Sequence, residues 1–174
     1  LKTSVLEQMS ASLCNAVLNR NDSQLILETL ERDNMFVIPL DANRTWYRYH
    51  HLFAGLLKQR LLQSDKEKNN DIHDKASAWF EENALHELAI DHALEIRNFK
   101  QSIRILGRIV ERMWEVGQHS AILRYGRLLP DEVIRSNQEF ALYYSWILIA
   151  AGQAEESEKY LDYAQKVIDA VING

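Results

Sequence analysis

The fifteen residues Met35–Tyr49 constrain this chain more than any other stretch. Met35-Phe36-Val37-Ile38-Pro39-Leu40 is short, apolar and β-favouring, and Asp41-Ala42-Asn43-Arg44 has the chemistry of a turn. Thr45-Trp46-Tyr47-Arg48-Tyr49 then alternates side chains in a way that suits a two-sided strand. This is one β-hairpin, set in a chain whose other periodicity is helical. Before it, residues 10–19 read as a short helix with Leu13, Val17 and Leu18 on one side and Ser10 or Ser12 as its cap. Asn21-Asp22-Ser23 breaks that helix and starts another, in which Leu25, Ile26, Leu27 and Leu30 form a buried stripe and Asn34 marks the end. After the hairpin, His50 or His51 opens a third helix with the stripe Leu52, Phe53, Leu56, Leu57 and Leu61. Helix, helix, hairpin, helix over residues 1–63 is the order of a winged helix.

Composition sets the class of the rest. Six glycines and two prolines in 174 residues are too few for the turns of an all-β fold, so the chain is predicted to be mainly α. Residues 1–63 carry seven basic and six acidic side chains, a net charge too weak for gripping nucleic-acid phosphates unaided. Ser64-Asp65-Lys66-Glu67-Lys68-Asn69-Asn70 has no apolar residue and is the expected linker, at 64–70. Residues 71–174 are predicted as about three tetratricopeptide-like helical hairpins. Two Gly-Gln pairs, Gly117-Gln118 and Gly152-Gln153, lie 35 residues apart, close to the ~34-residue period of such repeats. At the end, Val167, Ile168, Val171 and Ile172 form an apolar face that a following repeat would cover. Leu1 without an initiator Met leads to the expectation that the chain is a segment of a longer protein.

Few residues point to chemistry. The single cysteine, Cys14, pairs with no second one and builds no zinc site, which fits a reducing compartment. No stretch is long and apolar enough to span a membrane. Gly-rich phosphate loops, nucleophile elbows and H-E-x-x-H motifs are absent, so no enzymatic activity is expected of this chain. His50 and His51 are adjacent and point about 100° apart on a helix, a poor two-point metal site. His73, His86, His92 and His119 have no ligand spacing, and no metal is predicted. Arg44 and Arg48 on the hairpin are either solvated or phosphate contacts. Tyr143, Tyr144 and Trp146, on one helix, are the candidate ligand or partner surface, with Tyr143 expected to be the exposed one. Packing between repeats is the other role open to these aromatics, and the plainer one.

Three runs carry a family resemblance: Leu27-Glu28-Thr29-Leu30-Glu31-Arg32-Asp33-Asn34, Val37-Ile38-Pro39-Leu40-Asp41, and Trp46-Tyr47-Arg48-Tyr49-His50-His51-Leu52-Phe53-Ala54-Gly55-Leu56-Leu57. Trp79-Phe80-Glu81-Glu82-Asn83, Glu87-Leu88-Ala89-Ile90-Asp91-His92-Ala93-Leu94 and Leu128-Leu129-Pro130-Asp131-Glu132-Val133 extend it. Together they resemble the MalT-like branch of large ATP-dependent LuxR-type transcriptional regulators, within the signal-transduction ATPase class. The resemblance implies a cytoplasmic bacterial regulator in which a nucleotide-binding module precedes this chain and a DNA-binding helix-turn-helix follows it. ATP or ADP would bind only in the full-length protein, and DNA only through that missing domain. The winged helix would couple nucleotide state to the repeats, which would receive a small-molecule inducer or a regulatory protein. The wider class has a Met-His-Asp motif whose His contacts the β-phosphate of ADP in the resting state. Tyr49-His50-His51 keeps only its histidine, so the resemblance assigns the ADP phosphate contact to His50. Capping or packing is the other role open to that ring. A helical-repeat scaffold for protein–protein interaction, without a transcriptional role, is the rival to the whole reading.

Overall fold

The structure is a computed structural model and describes residues 2–62 and 66–161. A 3₁₀ turn at Lys2–Val5 leads into β1 (Met9–Ser10), α1 (Ala11–Leu18), α2 (Ser23–Arg32), β2 (Val37–Pro39), β3 (Trp46–Tyr49) and α3 (His51–Leu62). Then follow α4 (Lys66–Glu82), α5 (His86–Glu95), α6 (Phe99–Glu115), α7 (His119–Leu128), the short α8 (Asp131–Arg135) and α9 (Gln138–Ala150). Residues 154–161 are again helical. The chain is mainly helical, with a winged helix and its small antiparallel sheet first and helical hairpins after it.

Local chemistry explains the winged helix. Ser10 caps α1 by accepting a hydrogen bond from the Leu13 N–H at 3.2 Å. Asn19 and Asn34 take left-handed φ values of 53° after α1 and α2, a conformation that asparagine tolerates. At the wing, one carboxylate organises the turn. Asp41 accepts from the backbone N–H groups of Asn43 at 3.0 Å, Thr45 at 3.1 Å and Trp46 at 2.8 Å. Those N–H groups, Thr45 and Trp46 above all, hold its carboxyl below the usual range.

The sheet has three strands rather than the two of the expected hairpin. Its order is β1-β3-β2, all antiparallel, with Met9 opposite Tyr47 and Val37 opposite Tyr49. Met9, Leu13, Val17, Leu27 and Tyr47 fill the core above it. Leu25, expected in the buried stripe of α2, is exposed, because only Leu27 of that helix reaches the core.

Two compact units divide the chain, residues 1–96 and 97–174. The first joins the winged helix to the hairpin α4–α5. Residues 66–70 of the expected linker are the opening turns of α4, while Ser64 and Asp65 lie outside the described residues. Once Ile72, Ala76 and Phe80 bury one side of α4, extending the helix back through polar residues adds a hydrogen bond per residue without a new nucleation cost. The α4–α5 hairpin closes on small side chains: Ala76, Ala89 and Ala93 are fully buried, and the Ser77 hydroxyl donates to the Ala89 carbonyl at 2.7 Å.

In the second unit α6 and α7 form one hairpin, and α9 with residues 154–161 forms the next. The two Gly-Gln pairs are equivalent turns. Gly117 and Gly152 both have φ of +77°. Gln118 N–H donates to the Met113 carbonyl and Gln153 N–H to the Leu148 carbonyl, each at 2.8 Å, which closes a Schellman-type end on the preceding helix. The helices approach closely at Gly126, where an added Cβ would fall inside the Tyr144 ring, and at Gly107, where it would fall on Asn137. Val167, Ile168, Val171 and Ile172 lie outside the described residues.

Candidate functional site

His50 sits where the sheet hands over to α3. Its N–H donates to the Phe36 carbonyl at 2.7 Å, and its carbonyl accepts from Ala54 N–H at 2.9 Å, so both backbone groups are fixed. The half-buried ring leans on His51 with centroids 4.5 Å apart. The surroundings are unusual for a protein surface. Phe36 is 55% exposed, holds a left-handed φ of 59° and stacks on Phe53 at 4.9 Å. A bulky residue in that region of φ is strained and persists only where the surrounding structure holds it. Leu52 and Leu56, one turn apart on α3, are 73% and 54% exposed, although the sequence pattern assigns them to the core. The start of α3 therefore presents an imidazole among uncovered apolar side chains.

The wing contributes less. Arg44 is engaged with Glu31 of α2, its Nε 3.0 Å and 3.1 Å from the two carboxylate oxygens, which ties the wing tip to the helix. Arg48 is exposed.

The three aromatics of α9 separate. Tyr144 is a core residue, 1% exposed, stacked on Phe140 and lying over Gly126, so it is no part of a surface; helix packing at the glycine draws it inward. Trp146 is the exposed member, and Tyr143 is half-buried, the reverse of the expected order. These two join Trp114 of α6, with centroid distances of 5.5 Å to Trp146 and 5.8 Å to Tyr143. His119 lies against the other side of Trp114 at 4.6 Å. Desolvation and the carboxylates of Glu111, Glu139 and Glu115 push the Tyr143 phenol upward. The result is an aromatic surface with an acidic rim, made from α6, α7 and α9.

A third arrangement was invisible in the sequence. His73 of α4 and His92 of α5 meet across the first hairpin, Nδ1 to Nδ1 at 2.9 Å. One Nδ1 must carry a proton and the other accept it, so the two rings cannot both be protonated at Nδ1. Burial, then the neighbouring His73, then Lys58 push His92 down to about 4. Burial also lowers His73, against the pull of Glu95. Phe80 stacks on the His92 ring at 5.4 Å. Ring contacts continue from there toward the sheet: Phe80 to Trp79 at 5.4 Å, and Trp79 to Trp46 of β3 at 6.2 Å. Nineteen residues separate the two histidines. Only the pairing of two antiparallel helices brings them together.

Cys14 is buried, which pushes its thiol up to about 11 and leaves it without thiolate character at neutral pH. Among the described residues, no group of three or more His, Cys, Asp or Glu is placed to hold a metal ion. Among the same residues, no helix is long and apolar enough to cross a membrane.

Comparison with known proteins places these features. Residues 1–69 match the family model of the MalT winged helix domain. The chain is 25% identical over 167 residues, 95% of its length, to the HTH-type transcriptional regulator MalT of Vibrio campbellii, of which it spans 18%. The MalT of Vibrio parahaemolyticus is 24% identical over the same length. The serine/threonine-protein kinase PknK of Mycobacterium tuberculosis is 28% identical over 147 residues, 84% of this chain and 13% of the kinase. The chain thus spans less than a fifth of the length of these relatives.

Proposed function

We propose, from the premise that residues 1–69 are a MalT-type winged helix domain, that this chain is the regulatory middle of a MalT-like bacterial transcription regulator. In this reading the winged helix couples the nucleotide state of an ATPase module, elsewhere in the parent, to the helical hairpins. The observation that carries it is the uncovered apolar face around His50. Phe36, Leu52 and Leu56 together offer more apolar surface than an isolated winged helix needs, and a docking ATPase module is the surface that would cover them. In this reading His50, at the N-terminal end of α3, donates to a phosphate oxygen beside the positive end of the helix. That contact favours a closed, ADP-bound state and is lost when the module swings away. ATP and ADP belong to the parent, as does DNA binding through a helix-turn-helix, and the setting is cytoplasmic.

Coupling to the hairpins is supported by the packing of the first hairpin on the winged helix within the first unit. Helix α4 packs on α1 and on α5, and rings run in contact from Trp46 to His92. The hairpins receive an inducer or a regulatory protein on the surface built from Trp114, Tyr143 and Trp146. A kinase among the relatives fits this division. One segment recurring beside a named transcription regulator and a named kinase is better read as a shared regulatory module than as either effector.

The test uses the full-length parent. ADP released by denaturation is quantified for the wild type, His50→Ala and Leu52→Lys, together with basal transcription. Both variants are expected to lose ADP and raise basal transcription. Retention of ADP and unchanged transcription in both would sink the reading. The remaining alternative is then the helical-repeat scaffold, which the acid-rimmed aromatic surface of the second unit favours.

A further inference from the structure

Glu139, Tyr143 and Trp146 are spaced i, i+4 and i+7 on α9, so they share one face of that helix. Glu111, Trp114 and Glu115 share one face of α6 by the same rule. The rings of the two faces meet, with the Trp146 centroid 5.2 Å from Tyr143 and 5.5 Å from Trp114. Desolvation, then the carboxylates of Glu111, Glu139 and Glu115, raise the Tyr143 phenol, so all three acids lie near it. All three are exposed, and none pairs with a cation among the described residues. Arg112 is two residues from Trp114, about 200° round α6, and Arg108 lies nearly two turns back. The described residues of the second unit, 97–161, carry nine basic and eight acidic side chains. The acidity therefore belongs to this face and not to the unit. Among the described residues the chain's own cations sit on other rings, Arg124 on Tyr125 and Lys159 on Tyr160. Trp146 is left 41% exposed.

We infer that this face binds an arginine-bearing, extended segment of a partner protein, a guanidinium stacking on the Trp146 indole and the acidic rim matching the segment's positive charge. The inference rests on the reading of this surface as the receiving one, and it names the kind of partner received. Among aromatic rings an indole attracts a cation most strongly. A planar guanidinium both stacks on such a ring and donates to carboxylates. An anionic ligand or a nucleic-acid backbone would meet three carboxylates. A neutral apolar partner would take those carboxylates out of water without pairing them. The three rings are tilted by 48°, 60° and 80° to one another, so they offer no common plane to a broad ligand such as a sugar ring. Small-molecule sites are concave, whereas this face is open and spread over two helices, which suits a segment that touches it at several points.

The experiment uses the 174-residue chain and follows the indole N–H resonance of Trp146 by NMR, assigned by its loss in Trp146→Leu. Three probes are added in turn: the end-capped peptide Gly-Arg-Gly-Arg-Gly, the same peptide with neutral citrulline in place of arginine, and cellotriose. The arginine peptide is expected to shift the signal saturably. The citrulline peptide is expected to bind about tenfold more weakly, having lost the cation on the indole and the charge pairing beside it. Raising the salt about tenfold should weaken the arginine peptide and leave the citrulline peptide unchanged. Glu139→Gln should weaken the arginine peptide about threefold, whereas Glu82→Gln, an exposed acid of the first unit, should not. Unfolding curves check that each variant remains folded. Saturation by cellotriose in place of the peptides would keep this surface as the receiving one and overturn its assignment to a basic segment. Equal binding of the two peptides, or an undiminished affinity in Glu139→Gln, would overturn that assignment too. No shift with any probe at millimolar concentration would overturn it together with the receiving role of the surface, while the nucleotide reading is tested separately through ADP in the parent.

Discussion

Helices α3 and α9 read alike and behave differently. Both are rich in apolar residues. In α9 the residues Phe140, Ala141, Tyr144, Ser145, Ile147 and Leu148 are all buried, because α6, α7 and α8 pack around it. Among the residues of α3 whose side chains are described, Leu61 alone is buried, while Leu52 and Leu56 stand in solvent. The same contrast shows in their glycine contacts. A Cβ on Gly126 would collide with the ring that α9 lays on it, whereas Gly55 of α3 has nothing within 4 Å. An apolar helix surrounded by its own chain is structural. An apolar helix left half uncovered is what the proposed docking requires, and in this molecule it is α3, which follows His50.

The largest expected effect tests the buried side of this comparison. Tyr144→Ala should cost about 3–5 kcal/mol of stability, as for other large aromatics removed from a core. Trp146→Ala, two residues on, should cost about 1 kcal/mol or less. Urea unfolding of both variants measures the difference. Equal losses would mean that the exposed aromatic cluster is as structural as the core.

A pH effect follows from the histidine pair. The folded state holds His92 at about 4, whereas an unfolded imidazole titrates at 6.5. Its folded pKa is depressed, so the unfolded chain takes up the proton first as pH falls. The stability from the neutral pair is complete above about 6.5 and is lost as pH falls toward about 4. Between about pH 6.5 and 5 the expected loss is about 2 kcal/mol. The double variant His73→Asn, His92→Gln should flatten that slope in unfolding curves taken across the range. A slope unchanged by the double substitution would assign the pH dependence to other groups.

Two glycine substitutions have effects of opposite sign. Gly126→Ala should destabilise by about 1–3 kcal/mol through overpacking against Tyr144. Gly55→Ala, in an open helical position, should stabilise by about 0.5–1 kcal/mol. Melting temperatures of the two variants that moved in the same direction would break the contrast between α7 and α3.

What could be read in advance was what local chemistry decides. Ser10, Asn19 and Asn34 mark helix ends because caps and left-handed turns involve a few neighbouring residues, and the Gly-Gln pairs mark turns for the same reason. Strand β1 was not legible, since two residues carry no alternation and Met9 is a strand only because Tyr47 lies opposite. The polar run from Lys66 looked like a linker, yet its helix is set by residues further along α4. Burial on α3 and α9 was misread in both directions, with Leu52 and Leu56 expected inside and Tyr144 expected at a surface. Where apolar residues crowd a helix, periodicity separates its core side from its outer side poorly. The candidate site divided along the same line. His50 was singled out through its neighbours in sequence, while the pairing of His73 and His92 is a product of tertiary packing.

The central claim is that the face around His50 is covered in one nucleotide state and open in another. Hydrogen exchange of residues 46–57 in the full-length parent, with ADP and then with ATP bound, tests it most directly. The account predicts slow exchange across the start of α3 with ADP and faster exchange with ATP, while α9 is unchanged. Identical exchange at residues 46–57 in the two states would contradict it.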